Sequence, residues 1–452
     1  MSYQRTVEQL YALGHELAST PVHKFDLAYV RTMLDAMSHP ERRFASVLIA
    51  GTNGKGSTAA TLASILKAAG YRTGLYTSPH LVRINERIRV NGEAIADAEF
   101  DEIHRRIESI AQRLLHQAKL PWHPSFFEML TVMAFEYFAS VGVEIAVLEV
   151  GMGGRLDATN VVEPVISVIG DIALDHQKYL GNTIAEIAAE KAGIVRANGV
   201  VVTLPQHPQA NDVIGHAILE KNARAVSAVP YVPPVSPGAA AYLSGRTVAK
   251  PGRNRYPLTV MGEEIDVDSP LVGRHQLRNV ALAIATAEEL AQFGFKTTPK
   301  QIEQGIRETR WPGRFQLVPP SPATRERETV LDVAHNPAGA WALRSALSEN
   351  FPDRAVTLVF AAMSDKAIPE IATILFPVAE QVVVTQVANP RAASTGELLQ
   401  AGARTGASMY AEPTVGAALA RAQALSKPDG LIVVTGSIFL VGEAMTAMGI
   451  TA

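Results

Sequence analysis

The sequence predicts an α/β protein with two domains, each organised around a mostly parallel β-sheet. Short apolar runs alternate with helical patterns from residue 44 onward, as in sheets whose two faces are covered by helices. A glycine-rich loop, GTNGKGST at 51–58, joins the first apolar run to a helical pattern. After a proline-rich break, the same alternation of strands and helices resumes.

The first domain is predicted from four apolar runs that have the character of buried strands. They lie at 44–50, 72–77, 145–150 and 165–169. Helical patterns are predicted at 57–69, 125–141 and 183–195. Gly70 provides a C-terminal stop for the first of these helices, and Thr183 with Glu186 spells a capping box for the last.

The stretch PYVPPVSPG at 230–238 interrupts the pattern and predicts an irregular or β-rich insertion that reaches about residue 273. A helix is predicted at 279–293. Strands of the second domain are predicted at 330–334, 356–361, 381–385 and 431–435. We place the boundary near residue 297, with domains 1–296 and 297–452. The predicted fold is a P-loop-type, mostly parallel sheet domain followed by a smaller Rossmann-like α/β domain.

The composition excludes several classes of function. Of 452 residues, 47% are hydrophobic and 19% are charged, and the formal net charge is −3, so no nucleic-acid partner is expected. The chain has no cysteine, which excludes disulfides, thiolate metal sites and a cysteine nucleophile. No run approaches the roughly 20 apolar residues of a membrane span, and the N-terminal segment does not resemble a signal peptide. We therefore expect a cytoplasmic protein without a membrane partner.

The glycine-rich loop has the residues of a phosphate-binding loop. Backbone N–H groups and the positive end of the following helix would face an anion. Lys55 can reach the β- and γ-phosphates of a nucleotide, and Ser57 or Thr58 can face a magnesium ion. The usual motif has its hydroxyl directly after the lysine, whereas Gly56 occupies that place here. The alternative is a plain strand–turn–helix connection whose glycines only permit tight turning.

Other polar residues follow predicted strands or lie near the boundary. Glu149 is near the carboxyl end of a strand, where open α/β sheets place their sites, and a carboxylate beside a triphosphate calls for a magnesium ion between them. It could also be a solvated acid. Asp332 ends a strand and can accept hydrogen bonds from ribose hydroxyls. The residues alone favour a surface group for His176, a solvated helix face for Lys191, and leave an interdomain ion pair open for Arg314.

A series of short motifs resembles one family. The loop GTNGKGST is similar to the nucleotide loop of the Mur ligase superfamily, and within it to the folylpolyglutamate synthase/dihydrofolate synthase family. Further blocks follow in the family's order: TSPHL at 77–81, NERI at 85–88, EVGMGGRLDATN at 149–160, LDHQKYLG at 174–181, EKAGI at 190–194, HQLRN at 275–279, WPGRF at 311–315, DVAHNP at 332–337 and GSIFLVGE at 436–443. Together they span most of the chain, although the insertion around 225–272 carries no useful motif.

The resemblance implies roles for matching residues. The implied ATP-binding residues are Thr52, Asn53, Gly54, Lys55, Gly56, Ser57, Thr58, Asn279, Arg314 and Asp332. The expected magnesium ligands, for two ions, are Ser57, Ser78, Glu149 and His176. The expected catalytic residues are Lys55, Glu149, His176 and Lys191, with Lys191 carbamylated to N6-carboxylysine. A carbamate would turn this cation into a carboxylate near the second metal ion.

Three segments match the pterin-contacting segments of the family. They comprise His23, Lys24, Phe25 and Asp26; Ser125, Phe126, Phe127 and Glu128; and Leu156, Asp157 and Ala158. Phe126 and Phe127 could offer an aromatic face to a flat heterocycle, or they could equally belong to the helix core.

The resemblance implies an ATP-dependent ligase that adds L-glutamate to dihydropteroate and to the γ-carboxylate of reduced folates through an acyl phosphate. Such an enzyme is expected to be a monomer with ATP as co-substrate. The alternatives are a folylpolyglutamate synthase only, or another Mur-type amide ligase. A cell-wall Mur ligase usually has a domain before the loop, and the 50 residues before Gly51 are too few for a domain of roughly 100. A non-catalytic nucleotide-dependent switch would not need the DVAHNP and WPGRF blocks.

Overall fold

The computed structural model describes residues 2–14, 26–234, 252–321, 324 and 327–451. Within them, the strands of the first sheet are β1 (Ala45–Ala50), β2 (Thr73–Tyr76), β3 (Ile88–Val90), β4 (Glu93–Ala94), β5 (Ile145–Glu149), β6 (Ile166–Ile169), β7 (Val200–Thr203) and β8 (Arg224–Ser227). Their order across the sheet is β4-β3-β2-β5-β1-β6-β7-β8. All neighbours from β2 to β8 pair in parallel, while β3 and β4 form an antiparallel edge.

Helices cover this sheet on both faces. They are α1 (Tyr3–Ala12), α2 (Leu27–Ala36), α3 (Lys55–Ala68), α4 (Asp97–His116), α5 (Phe126–Ser140), α6 (Gln177–Leu180), α7 (Ile184–Ala192), α8 (Pro208–Glu220), α9 (Arg274–Glu289) and α10 (Pro299–Arg307). The central strand β1 shows why both faces must be covered. Leu48 and Ala50 belong to one apolar core, and Val47 and Ile49 belong to the other. A strand buried on both faces has the continuous apolar run seen in the sequence.

The insertion after the first sheet contains an antiparallel hairpin of β9 (Asn254–Val260) and β10 (Glu263–Ser269). Met261 and Gly262 connect the two strands with φ angles of 51° and 81°, which suits a tight hairpin turn. The predicted β-rich character is therefore confirmed for this part. Residues 235–251 lie outside the described residues.

The second sheet is smaller. Its strands are β11 (Gln316–Val318), β12 (Glu328–Leu331), β13 (Val356–Phe360), β14 (Gln381–Val384), β15 (Ser408–Ala411) and β16 (Leu431–Thr435). The order is β11-β12-β16-β13-β14-β15, parallel except for β11. The associated helices are α11 (Pro337–Asn350), α12 (Ile368–Leu375), α13 (Thr395–Gly402), α14 (Val415–Leu425) and α15 (Ile438–Ala447). Side chains along β16 alternate between two apolar cores, one on each face of the sheet.

The chain segment that connects the two sheets lies close to α3. Helix α10 follows the predicted boundary at 297, yet it packs on α3: a Cβ atom at Gly305 would be 2.4 Å from Ile65 Cα. The packing therefore associates α10 with the first sheet. The domain limits 1–296 and 297–452 stay a prediction.

The predicted α/β class with two mostly parallel sheets is confirmed, and most strand limits differ from the prediction by one residue. Some elements differ more, and strands β3, β4, β7, β8, β11 and β15 were not predicted. β12 occupies Glu328–Leu331 instead of 330–334, and α9 begins at Arg274 instead of 279. Gly273, with φ of 100°, makes the turn that permits this earlier start. The long helix α4 was not predicted, although its buried Phe100, Ile103 and Ile107 recur at helical spacing.

Candidate active site

A cavity of about 950 Å³ lies where the two sheets meet. In the first sheet, β1 lies between β5 and β6, which is the point where the strand order reverses. Open α/β sheets bind ligands at such a point, beyond the carboxyl ends of their strands. Apart from Thr58 and Lys191, which are buried, every described residue of the predicted site lines this cavity. His23, Lys24 and Phe25 lie outside the described residues.

The glycine-rich loop connects β1 to α3. The N–H of Thr52 donates to the carbonyl of Asp171 at 2.7 Å, and the Thr52 hydroxyl donates to the carbonyl of Ala173 at 3.0 Å. Gly54, in the left-handed region with φ of 79°, directs the chain into α3. The N–H groups in the first turn of a helix have no partner within the helix, so those of α3 are available to an anion.

Two side chains from elsewhere cover the loop. A Cβ atom at Gly54 would be 2.1 Å from the Asn279 side-chain oxygen, so α9 lies directly on the loop. A Cβ atom at Gly56 would be 2.7 Å from Cζ2 of Trp311. The indole therefore occupies the space that a side chain after Lys55 would need. This contact explains the departure from the usual motif.

Glu149 and His176 both line the cavity; Glu149 offers carboxylate oxygens as metal ligands, and His176 offers a ring nitrogen. Glu149 is the last residue of β5 and accepts a hydrogen bond from the Ser78 N–H at 3.1 Å. Burial lowers the pKa of His176 to about 4; Lys366 and Lys55 act in the same direction, and Asp175 opposes them. His176 is therefore neutral near pH 7, which is the form that can ligate a metal ion.

The donor set fits a magnesium ion that is bound together with a nucleotide. Among the described residues, no three His, Asp or Glu side chains lie close enough to form a metal cluster of their own. Magnesium, however, typically takes one or two carboxylates, keeps several waters and uses substrate phosphates as ligands. Glu149 and the hydroxyls of Ser57 and Ser78, which line the same cavity as the phosphate loop, suit that mode of binding.

Lys191 lies beneath the phosphate loop. Its side chain is buried, and Nζ donates to the carbonyl of Gly51 at 2.8 Å. The solvated helix face that the residues alone favoured is therefore wrong. Burial lowers the pKa of Lys191 to about 7, helped by the charge of Lys55 and opposed by Asp175. A substantial fraction of this amine is thus neutral near pH 7.

Asp332 connects the second sheet to the linker that precedes it. One carboxylate oxygen accepts the N–H of Phe315 at 2.8 Å, and the other accepts the N–H of Ala334 at 2.9 Å. Burial raises the pKa of Asp332, and these two hydrogen bonds oppose the shift. The guanidinium of Arg314 lies 5.9 Å from the ring of Trp311. Asp332, directly after β12, and Arg314, shortly before β11, both line the cavity from the side of the second sheet.

The segments matched to pterin contacts have clear local roles. Asp26 caps α2, and Ser125 with Glu128 forms the capping box of α5. Asp157 accepts the N–H groups of Met152 and Thr159, which shapes the loop after β5. Burial raises its pKa, and these hydrogen bonds oppose the shift.

The two aromatic residues of this region differ. Phe126 is buried and stacks on Tyr11, with ring centroids 5.6 Å apart, while Arg87 lies 5.2 Å from its centroid. Phe126 is thus a core residue. Phe127 is less buried and lines the cavity beside Gly151, where an added Cβ atom would be 2.5 Å from its Cζ, so its ring is the better candidate for stacking on a heterocycle.

A polar cluster that the sequence analysis did not assign connects the two domains. The Lys366 ammonium donates to Asp175 at 2.6 Å, and His335 lies 3.5 Å from the same carboxylate. Asn336 donates to both Asp175 and Asn53. Three of these residues lie in the LDHQKYLG and DVAHNP blocks, where they could have been noticed. Lys366 is a single lysine in a loop after β13 and gave no signal.

Burial alone would raise the pKa of Asp175. The hydrogen bond from His335 and the positive charge of Lys366 instead hold the pKa of this carboxyl well below its usual range. Asp175 is therefore ionised.

Across the described part of the chain, no helix is both long enough and apolar enough to cross a membrane.

Family models match both parts of the chain. Residues 49–287 match the Mur ligase middle domain, and residues 313–438 match the Mur ligase, glutamate ligase domain. A Bacillus subtilis dihydrofolate synthase/folylpolyglutamate synthase is 32% identical over 92% of this chain and 93% of its own. A Lacticaseibacillus casei folylpolyglutamate synthase is 34% identical over 97% of both chains. The crystal structure of Mycobacterium tuberculosis folylpolyglutamate synthase complexed with ADP and AMPPCP superposes with a TM-score of 0.87, at 33% identity and 99% coverage of both chains.

Proposed function

Because the chain belongs to the Mur ligase family, and within it to the ATP-dependent folylpolyglutamate and dihydrofolate synthases, we propose that it adds L-glutamate to dihydropteroate and to the γ-carboxylate of reduced folates. One observation carries this proposal. A single cavity joins the phosphate loop to a chamber bounded by Phe127, Leu156 and Asp157. A nucleotide and an extended pterin acid can therefore lie end to end, with the acid's carboxylate next to the phosphates.

The chemistry requires activation of a carboxylate, which is a poor acceptor for an amine. A carboxylate oxygen attacks the γ-phosphorus of ATP, the bond to the β,γ-bridging oxygen breaks, and ADP leaves. The amine of glutamate then attacks the carbon of the acyl phosphate, loses a proton, and phosphate leaves as the amide forms. The ammonium of Lys55 and the N-terminus of α3 stabilise the charge on the transferred phosphoryl group.

We propose that the ATP contacts are Thr52 to Thr58, Asn279, Arg314 and Asp332. Glu149, His176, Ser57 and Ser78 would hold two magnesium ions. When bound, these ions would neutralise phosphate charge and align the γ-phosphoryl group. A carbamate on Lys191 would replace the positive charge of this side chain beneath the loop by a negative one, which would help to hold a metal ion. We propose that the protein acts as a monomer, as the family resemblance implies.

The names of the relatives differ in how many substrates accept glutamate, so the number of acceptors of this protein is a matter for experiment. The Bacillus subtilis protein is named for both activities, and the Lacticaseibacillus casei protein for one. The test is mass analysis of the products formed from dihydropteroate and, separately, from tetrahydrofolate, each with ATP and glutamate. Glutamylation of both acceptors supports the dual activity, and glutamylation of tetrahydrofolate alone limits the enzyme to chain extension.

The nucleotide products test the mechanism. We expect ADP and phosphate to be released only when a pterin acid and glutamate are both present. AMP and pyrophosphate would exclude the acyl phosphate. ATP hydrolysis that needs neither acceptor nor glutamate would favour a nucleotide-dependent switch.

A further inference from the structure

We propose that Asp175 is a positioning residue that fixes the second domain against the phosphate loop, with Lys366 as its main partner. This inference rests on the proposed function, because it assigns a role in assembling the ATP site. Asp175 lies in the first domain, after β6, where its carboxylate accepts the N–H of the neighbouring His176 at 2.8 Å. Three further partners, Lys366, His335 and Asn336, belong to the second domain.

The contact is made between buried charges. The side chains of Lys366 and Asp175 are only 9% and 8% exposed, and they lie 2.6 Å apart. Removing one partner of a buried ion pair leaves an uncompensated charge, whereas separating the domains would let both ions rehydrate. The pair therefore adds little net stability but favours one relative arrangement of the two domains.

Asn336 extends the contact to the nucleotide loop. Its side-chain nitrogen lies 2.9 Å from the Asn53 side-chain oxygen and 3.3 Å from the Asp175 carboxylate. Its side-chain oxygen accepts the N–H of Gly339 and so caps α11. One amide thus touches the phosphate loop, the charge pair and the helix that lines the far wall of the cavity. A shift of the second domain would therefore lengthen or break the hydrogen bond from Asn336 to Asn53.

The chain offers a matched control. Lys427 and Glu380 also lie 2.6 Å apart, but they are 57% and 49% exposed and both belong to the second domain. Exposed pairs of this kind contribute little to stability. Replacing either lysine by methionine removes one positive charge and retains an unbranched side chain, so the two variants differ mainly in the position of the lost charge.

The first test compares Lys366→Met, Lys366→Arg and Lys427→Met in steady-state kinetics. We expect Lys366→Met to raise the KM for ATP about tenfold and to release ADP without forming product, since the nucleotide site closes poorly. The KM for dihydropteroate should not change, because the pterin chamber belongs to the first domain. Lys366→Arg should restore coupling, and Lys427→Met should behave like the parent protein. An unchanged KM for ATP with full coupling in Lys366→Met would overturn the proposal.

The second test does not depend on activity. The chain has no cysteine, so spin labels can be attached to cysteines introduced at two exposed positions, Leu219 in α8 and Ser348 in α11. We expect one narrow distance distribution in the parent protein and a broader one in Lys366→Met, with Lys427→Met unchanged. Broadening in a protein that proves to have no ligase activity would support the contact and reject the proposed function. Identical distributions in all variants would reject the contact alone.

Discussion

Gly56 lies directly beneath the indole of Trp311, at a distance that leaves no room for a side chain after Lys55. The usual phosphate loop has a serine or threonine at that place. Here the indole of Trp311, in the segment between the two domains, fills that space. The hydroxyl that the motif needs is instead supplied one residue later by Ser57, which lines the cavity.

This contact predicts the effect of placing the serine of the usual motif directly after Lys55. Gly56→Ser should lower kcat/KM for ATP about a hundredfold, because the loop or the linker must shift. Adding Trp311→Ala should recover part of the loss by vacating the space. Gly215→Ala is the control, since a Cβ atom there meets nothing within 4 Å. Equal losses with and without Trp311→Ala would show that the indole is not the obstacle.

Lys55→Ala should reduce turnover about a hundredfold or more, as expected for the loss of one contact to the transferred phosphoryl group. Lys55 is half-buried at the cavity, and within the described part of the chain its ammonium donates only to the carbonyl of Thr52, so the fold should survive. Lys67→Ala, at the exposed end of the same helix, is the control. Turnover and the circular dichroism spectrum should be measured together. A folded Lys55→Ala protein with near-normal turnover would contradict the assignment.

Lys191→Ala should abolish most activity, and acetate or formate should partly restore it by supplying a carboxylate beneath the loop. Lys191→Glu should be a poor mimic, because its side chain is shorter than a carbamate by several atoms. In an experimental structure, density should extend beyond Nζ of Lys191. A bare ammonium beside a complete magnesium site would exclude the modification.

The pH dependence of activation follows from the same residue. Carbon dioxide adds to the neutral amine, and the pKa of Lys191 near 7 means that the neutral fraction grows as the pH rises through 7. Protein depleted of carbon dioxide should therefore regain activity with bicarbonate more completely at pH 8 than at pH 6. Equal recovery at both values would contradict the prediction.

Unmodified Lys191 also has a consequence for stability. Its folded pKa is lowered below 10.5, so between pH 7 and 10.5 the unfolded chain binds more protons than the folded one. The cost of burying the charge is therefore fully present below pH 7 and is relieved progressively as the pH rises from 7 towards 10.5. Relative to Lys191→Met, the carbon dioxide-free protein should gain thermal stability from pH 6 to pH 9. A constant difference in melting temperature would show that the pKa is not lowered.

Substitutions at Phe126 and Phe127 should distinguish a packing role in the core from a role in binding the pterin substrate. Phe126→Leu should destabilise the fold by about 1–2 kcal/mol, since its ring is buried against Tyr11, and should leave the KM for dihydropteroate unchanged. Phe127→Leu should raise that KM and have a smaller effect on stability. Thermal unfolding and acceptor kinetics of both variants provide the check, and the reverse pattern would exchange the two roles.

The sequence predicted eight strands of the two sheets, because buried strands are recognisable from their own apolar residues; β3, β4, β7, β8, β11 and β15 were not predicted. Every residue of β16 from Leu431 to Val434 is apolar, and no distant partner is needed to recognise it. The phosphate loop was equally visible, since its glycines, lysine and hydroxyl are consecutive. The same local character explains why the capping box at Thr183 was found.

The remaining features depend on distant contacts. Asp175 and Lys366 are 191 positions apart, and nothing near either residue indicates the other. The buried ammonium of Lys191 donates to the carbonyl of Gly51, which lies 140 positions away. In each case the decisive neighbour comes from another layer of the fold, which spacing along the chain does not reveal.

The carbonyl of Asp171 accepts hydrogen bonds from the N–H groups of both Thr52 and Asn53, so groups of the protein itself hold the start of the phosphate loop in shape. A segment that is already ordered loses little conformational entropy when it grips a ligand. Nucleotide affinity at this loop should therefore carry only a small ordering penalty. The amide protons of Thr52 and Asn53 should exchange slowly with deuterium before any nucleotide is added, and saturation with ADP should slow them little further.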